Sequence, residues 1–507
     1  MRTPPFMLVS LLALAGLALV SPTGADAVTF THGVASGEVT HGSAVLWTRV
    51  DQEAALTVEV STDPRFEEPT LTETALASAD SDFTARVIAA PLRPGQQYFF
   101  RWRDGASVSE VGTFRTAPLP SAPAAVRFAW TGDSDPSRIG GVPAFNNWET
   151  LDAVRREDPD FFVYLGDTIY SDFRAGGFLP DAQSLDDFRA LYKAGRDYTA
   201  LRDLARATSM YALWDDHEVR NDWDGATVDP FFLEIGRQSF FEYMPLTEKR
   251  LPHDPDCAAD PLFRVVRWGR EVDVIILDVR SCRSASVEAI CLGDLAPTMP
   301  QVLRAQFPAF FPPQIAPGCL EAIDDPSRTM LGRLQKERLK SALVSSRARF
   351  KVVITGVNIQ QLYILPYDTW EGYAAERAEI LNFIRDQGIR NVIFLTTDGH
   401  QNVMKGVFID RFTDPVPVAY EAMTGPIATV TWQNLILGAI GPLGVVAQQA
   451  IHTLLGADCR HLNAYSYGVV RVDPTTGSAT ITLKDSAGNA LHDQLTPTTA
   501  CTRTIGP

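Results

Sequence analysis

The chain is short of positive charge: 45 lysines and arginines face 61 aspartates and glutamates, a net charge of −16. No basic stripe interrupts that balance, which excludes a general binder of nucleic-acid backbones. Cysteine is sparse, with six in 507 residues, at 257, 282, 291, 319, 459 and 501. None forms a CxxC pair or a Cys/His cluster at zinc spacing, so a zinc-ribbon or finger site is excluded. There is no internal repeat, which excludes solenoids and propellers. Uninterrupted apolar runs of membrane length are also missing. Phe6 to Val20 is too short to span, and it is followed by the small residues Ala25-Asp26-Ala27. That pattern predicts a secretory signal peptide over residues 1–27, cleaved after Ala27. No Arg-Arg pair precedes the apolar core and no cysteine follows it, so neither twin-arginine export nor a lipid anchor is indicated. The expected location is exported, periplasmic or secreted. An even number of cysteines there predicts disulfides, with Cys282 and Cys291 as the favoured local pair.

What is present divides the chain in two. Residues 28–118 carry short alternating segments, such as Leu56-Thr57-Val58-Glu59-Val60 and Gln97-Tyr98-Phe99-Phe100-Arg101-Trp102. Their spacing predicts a small N-terminal all-β sandwich. A Pro-rich stretch, Ala117 to Pro123, marks the boundary. From 124 to about 500, apolar runs alternate with helical patterns, predicting an α/β domain. Two stretches resist this pattern. Residues 293–328 are rich in Pro and Phe and read as a lid or binding loop. Residues 435–455 are apolar but broken by Pro442 and three glycines, and read as a buried or amphipathic helix, with a membrane-facing flap as the alternative.

Four apolar runs end in aspartate. Val126 to Trp130 closes at Asp133, and Phe161 to Leu165 closes at Gly166-Asp167. Met210 to Trp214 closes at Asp215-Asp216-His217-Glu218, and Asn391 to Thr397 closes at Asp398-Gly399-His400. Strands of a buried parallel sheet read as continuous apolar runs, and ligands bind beyond their carboxyl ends. So many carboxylates in one place require cations between them. An aspartate can bridge two ions, and Tyr170 adds a phenolate suited to ferric iron. Alone, Asp167 reads equally well as a turn residue capping a helix. Oxygen ligands such as Asp216 and Asn221 suit hard or intermediate ions. His217 is a candidate proton donor, and Arg138 a candidate phosphate clamp.

The order strand-Asp, Gly-Asp-x-x-Tyr, Asp-Asp-His-Glu-x-x-Asn, Asp-x-His resembles the calcineurin-like metallophosphoesterases, and in particular the PhoD-like alkaline phosphatases. Further similar blocks are Phe30 to Gly37, Leu46 to Val50, Leu277 to Ser281, Met330 to Gly332, Trp370 to Tyr373 and Ser466 to Val470. The resemblance implies a four-layer α/β/β/α core behind a fibronectin III-like sandwich. It implies that Asp167 bridges two metals. Asp133, Tyr170 and His400 complete a ferric site; Asp216, Asn221 and Asp398 complete a second site for Ca2+, or for Mn2+, Mg2+ or Zn2+. His217 then acts near the leaving oxygen. Two departures stand out: Asp133 occupies a position where the family often has cysteine, and Thr397 precedes Asp398 where the family has glycine. The expected activity is hydrolysis of phosphate mono- or diesters by water activated between the metals, in a monomeric enzyme. Alternatives are a phospholipase D-type lipid phosphodiesterase in contact with lipid, and an inactive surface-binding protein.

Overall fold

The computed structural model describes residues 27–105, 107–247, 262–308 and 310–506. The signal peptide, apart from Ala27, and Cys257 lie outside the described residues.

Two sheets make the core. The first has nine strands, in the order Thr502–Ile505, Ser478–Asp485, Ser466–Asp473, Val126–Thr131, Phe161–Leu165, Met210–Leu213, Phe30–Gly37, Ala44–Val50, Thr84–Ala89. The second has seven: Arg264–Trp268, Val272–Ile276, Phe350–Ile354, Val392–Thr396, Ala419–Met423, Asn402–Val407, Cys459–His461. Within each sheet the central strands run parallel. Their residues are buried on both faces, as the continuous apolar runs require.

Side chains on a strand alternate between faces, and the second sheet obeys this. Val274, Ile276, Val352, Ile354, Ile393 and Leu395 pack into one core with Phe128, Trp130, Phe161 and Val163 of the first sheet. The intervening Ile275, Val353, Val392 and Phe394 pack instead on helices Gly332–Ser345 and Ala374–Asp386. The far face of the first sheet is covered by helices Glu149–Arg156 and Thr199–Ala207. This is the four-layer α/β/β/α arrangement. The Trp130 indole donates to the Thr396 carbonyl at 3.3 Å, tying the layers at the ends of two central strands.

The N-terminal strands form two layers, and one of them is joined to the large sheet. Ala54–Ser61, Leu71–Ala77, Gln97–Asp104 and their neighbours form one small sheet. The facing strands Phe30–Gly37, Ala44–Val50 and Thr84–Ala89 instead extend the large first sheet, through a parallel register of Gly37 with Met210. A Cβ on Gly37 would fall 2.4 Å from the Pro245 carbonyl oxygen and 2.8 Å from that of Met210, so this junction requires glycine. At the other edge, Thr502–Ile505 pairs with Ser478–Asp485 and carries the sheet past residue 500.

The two stretches that resisted the sequence pattern pack on each other. The apolar segment at 435–455 is two helices, Trp432–Ile440 and Pro442–Leu454, because Gly441 takes φ +75° and Pro442 cannot continue a helix. The 293–328 insertion holds the short helices Gln301–Arg304 and Cys319–Ile323. Its Ala296, Met299 and Phe311 form a satellite core with Ile451 and Leu455. Cys291 bonds Cys319, correcting the expected Cys282–Cys291 pair. Cys459 bonds Cys501, and Cys282 is itself disulfide-bonded. Among the described residues no helix is long and apolar enough to cross a membrane.

Candidate metal centre

The four aspartate-ending runs come from both sheets. Asp133, Asp167 and the Asp215–Glu218 run follow three adjacent strands of the first sheet; Asp398 and His400 follow a central strand of the second. Their backbones turn sharply where the strands stop. Asp133, Asp167, Asp398 and His400 take φ of +60°, +48°, +64° and +48°. Left-handed backbone is uncommon outside glycine, and it persists where surrounding structure imposes it, often at functional sites.

The turns bring ligand-type atoms together. Oxygens or ring nitrogens of Asp133, Asp167 and His400 lie within 4.8 Å of one another; so do those of Asp167, Asp216 and His217, and those of Asp215, Asp216 and Asp398. Asp167 and Asp216 each belong to two of these groups, and Asp167 is the one that links the Asp133–His400 group to the Asp216 side. Tyr170 is buried; its hydroxyl lies 3.0 Å from His400 Nε2, and its ring stacks on His217 at 4.1 Å between centroids. The Val430 carbonyl accepts from His400 Nδ1 at 2.7 Å, which leaves Nε2 toward the cluster.

Asp133 Oδ2, Asp167 Oδ2 and Asp216 Oδ1 are buried and have no hydrogen-bond partner. Ionised carboxylates only accept, and a buried one without a partner is costly unless a cation meets it. These oxygens therefore fit a metal. Burial, reinforced by neighbouring carboxylates, pushes the Asp133, Asp167 and Asp398 carboxyls well above their ordinary range. Burial and the nearby His217 lower His400 to about 4, so this imidazole is neutral and able to ligate. For His217 burial acts downward, but Asp216 and the bonded Asp172 carry it up to about 9. Asp216 is pulled below its ordinary range by Arg280 and His217 against the effect of burial.

Glu218 is a structural member of its run. It accepts from the Thr168 N–H at 2.6 Å, the Thr168 hydroxyl at 2.7 Å and the Asp215 N–H at 2.9 Å, stitching two loops together. Asn221 is exposed beside the cluster, and its N–H donates to Asp172 Oδ2 at 2.7 Å. Arg138 is not brought in by any described contact. It is exposed on a two-residue hairpin strand, stacks over Tyr198 at 4.7 Å and donates to the Gly141 carbonyl. Sequence reasoning missed Asp172, which bonds His217 Nδ1 at 2.6 Å, and Arg280, which bonds Asp215. Arg280 lies within the block Leu277 to Ser281, and that was its one signal.

The family description "PhoD-like phosphatase" matches residues 140–483, and its N-terminal domain matches residues 17–118. Alkaline phosphatase D of Bacillus subtilis is 26% identical over 420 residues, covering 75% of this chain and 66% of that protein. A solved structure of PhoD superposes with a TM-score of 0.72 at 21% identity, covering 94% of this chain and 92% of the other. Purple acid phosphatase PPD1 from yellow lupin superposes with a TM-score of 0.57 at 11% identity, covering 95% and 74%. These two likenesses carry the fold, and the match across most of the sequence carries the lineage: the chain belongs to the PhoD-like phosphatase family.

Proposed function

We propose that this chain is an exported, metal-dependent phosphoesterase. The observation that carries the reading is the set of buried, unpartnered oxygens on Asp133, Asp167 and Asp216, arranged around a shared aspartate. Asp133, Asp167, Tyr170 and His400 would hold one ion, with a phenolate that suits ferric iron. Asp167, Asp216, Asn221 and Asp398 would hold a second, whose oxygen-rich set suits calcium or another divalent ion. When bound, such ions act as Lewis acids on a phosphoryl group and make water acidic enough to attack at neutral pH.

The chain's own residues supply the rest. His217 carries a proton on the ring nitrogen not engaged by Asp172, and delivers it to the departing ester oxygen. Asp172 fixes the tautomer and orientation of that ring, as partners behind functional histidines do. Tyr170, packed flat on His217, restricts its movement and keeps water from that face. Disulfides Cys291–Cys319 and Cys459–Cys501 support export into an oxidising compartment.

The test is elemental analysis of natively purified protein beside hydrolysis of 4-nitrophenyl phosphate and bis(4-nitrophenyl) phosphate. Iron and a divalent metal near stoichiometry, with turnover, is expected. Full metal with no turnover of either ester would sink the reading.

One observation favours a lipid phosphodiesterase as the second reading. The helix pair 432–454 starts at the cluster, with the Trp432 N–H donating to the His400 carbonyl at 2.9 Å. It leaves Leu443 and Val446 72% and 61% exposed. Co-sedimentation of the mature protein with phosphatidylcholine vesicles, lost in Leu443→Asp, would favour it.

A further inference from the structure

The carboxylates of this centre are of two kinds. Asp133, Asp167 and Asp216 each keep a buried oxygen without a partner. Asp215 keeps none: Arg280 Nε donates to its Oδ1 at 2.8 Å and Nη2 to its Oδ2 at 3.0 Å. The same guanidinium grips Asp368, through Nη1 to Oδ1 at 2.5 Å and Nη2 to Oδ2 at 2.7 Å. Arg283 also bonds Asp368. Arg280 is fully buried, and its Nη2 lies 3.6 Å from Asp216 Oδ2.

Position alone would make Asp215 and Asp368 cation ligands too. Asp215 lies within 4.8 Å of ligand atoms of Asp216 and Asp398, and Asp368 within the same distance of Asp216 and Asp222. What separates them from the free carboxylates is the guanidinium. Its planar fork meets two carboxylates edge-on, a geometry lysine cannot reproduce. The wall behind Asp215 is closed as well: a Cβ on Gly356 would fall 2.3 Å from its Oδ1.

We infer that Arg280 is a resident cation of this centre, filling the space between Asp215 and Asp368 and so deciding that Asp216, not the adjacent Asp215, is left for a divalent ion. The inference rests on the reading of this cluster as a metal centre. It makes Arg280 a positioning residue that also limits how many ions enter. Removing one partner of a buried pair leaves the other charge uncompensated. Here Asp215 loses its guanidinium while Arg283 still bonds Asp368, and beside a cation site a divalent ion is the natural replacement.

The experiment uses the whole chain, as wild type and as Arg280→Met. Both are stripped with chelator and then brought to equilibrium with Ca2+ by dialysis, with bound metal counted by elemental analysis and unfolding followed against Ca2+ concentration. Arg280→Met is expected to hold one equivalent more than wild type, and its melting temperature is expected to rise more steeply with Ca2+. The charge-balanced double variant Arg280→Met/Asp215→Asn is expected to fold and return to the wild-type equivalents. An unchanged count in Arg280→Met would overturn the inference. So would a variant unfolded at every Ca2+ concentration, since an ion would then be unable to stand in for the guanidinium. A double variant that still gains an equivalent would overturn it too, because the extra ion would owe nothing to Asp215. Wild type that takes up no divalent ion at all would instead bring down the metal reading of the cluster, and the inference with it.

Discussion

His217 Nδ1 lies 2.6 Å from Asp172 Oδ1, across 45 residues of sequence, and the second oxygen of Asp172 accepts the Asn221 N–H at 2.7 Å. One carboxylate thus joins the loop after Tyr170 to the loop after Asp216. It orients the imidazole and holds the Asn221 backbone in the same stroke. A buried histidine so placed is committed at Nδ1 and has one nitrogen left for chemistry.

Asp172→Asn therefore loosens His217 while removing no proposed ligand, though it also weakens the acceptor of the Asn221 N–H. Loss of such a partner typically costs about 10–100-fold in activity. The loss should be larger for alkyl phosphates, which need a proton on the leaving oxygen, than for nitrophenyl esters, which do not. His217→Ala should show the same selectivity with a larger loss, about 10²–10⁴-fold on alkyl esters. Steady-state kinetics on both ester classes, with metal content measured alongside, decides it; equal losses on both would speak against proton donation.

The sequence made the first half of this centre legible and hid the second. Asp133, Asp167, Asp216 and Asp398 stand out because each ends a strand buried on both faces, and burial writes itself into composition. Asp172, Arg280 and Asp368 sit in loops, and their partners are set by how two sheets close on each other. Nothing local marks Asp172 as the partner of a residue 45 positions on. The N-terminal strands illustrate the same limit. Their alternation predicts a sandwich but not the Gly37–Met210 pairing that joins one layer to the large sheet, a backbone contact without a side-chain signature. Arg138 follows Asp133 closely in sequence, and in the structure its guanidinium lies over Tyr198.

Asp167→Ala should lose metal and activity together. Asp167 is shared by two ligand groups, so its removal damages both sites at once, whereas Asp398→Ala removes a member of one. Elemental analysis is expected to show both metals depleted in the first variant and chiefly the divalent ion in the second. Substantial turnover by Asp167→Ala would sink the bridging role.

Tyr170→Phe removes one hydroxyl and keeps the ring that stacks on His217. If iron fills the site of Asp133, Tyr170 and His400, the wild-type protein should show a phenolate-to-iron absorption band in the visible. The variant should lose that band while remaining folded. A persisting band would assign the chromophore to another tyrosine.

The Cys459–Cys501 bond joins the edge strand of the second sheet to the segment that returns onto the first. It closes a sequence separation of 42 residues, for which chain entropy alone suggests about 4 kcal/mol, with typical measured values of about 2–4 kcal/mol. Cys459→Ser/Cys501→Ser should lower the melting temperature accordingly. Metal content at 25 °C should stay near wild type, because the centre lies at the strand ends and not at this edge. Calorimetry checks the first statement and elemental analysis the second.

Gly425→Ala is expected to damage the first site without removing any ligand. Gly425 has φ +120°, a region side chains rarely enter, and an added Cβ would fall 2.4 Å from Asp133 Oδ2. That oxygen is one of the three buried atoms left without a partner. A methyl group there both strains the backbone and occupies the place from which a cation would meet Asp133. The variant should therefore fold less stably and lose the ion held by Asp133 and His400, while the ion held by Asp216 and Asp398 is better retained. Gly438→Ala is the control. It lies within helix Trp432–Ile440 with nothing within 4 Å of the added Cβ, and alanine is favoured over glycine in a helix by about 0.5–1 kcal/mol. It should leave metal content unchanged and stability level or slightly raised. If Gly425→Ala retained both metals at wild-type stoichiometry, the free oxygen of Asp133 would not be facing a cation, and the first site would have to be rebuilt from Asp167, Tyr170 and His400 alone.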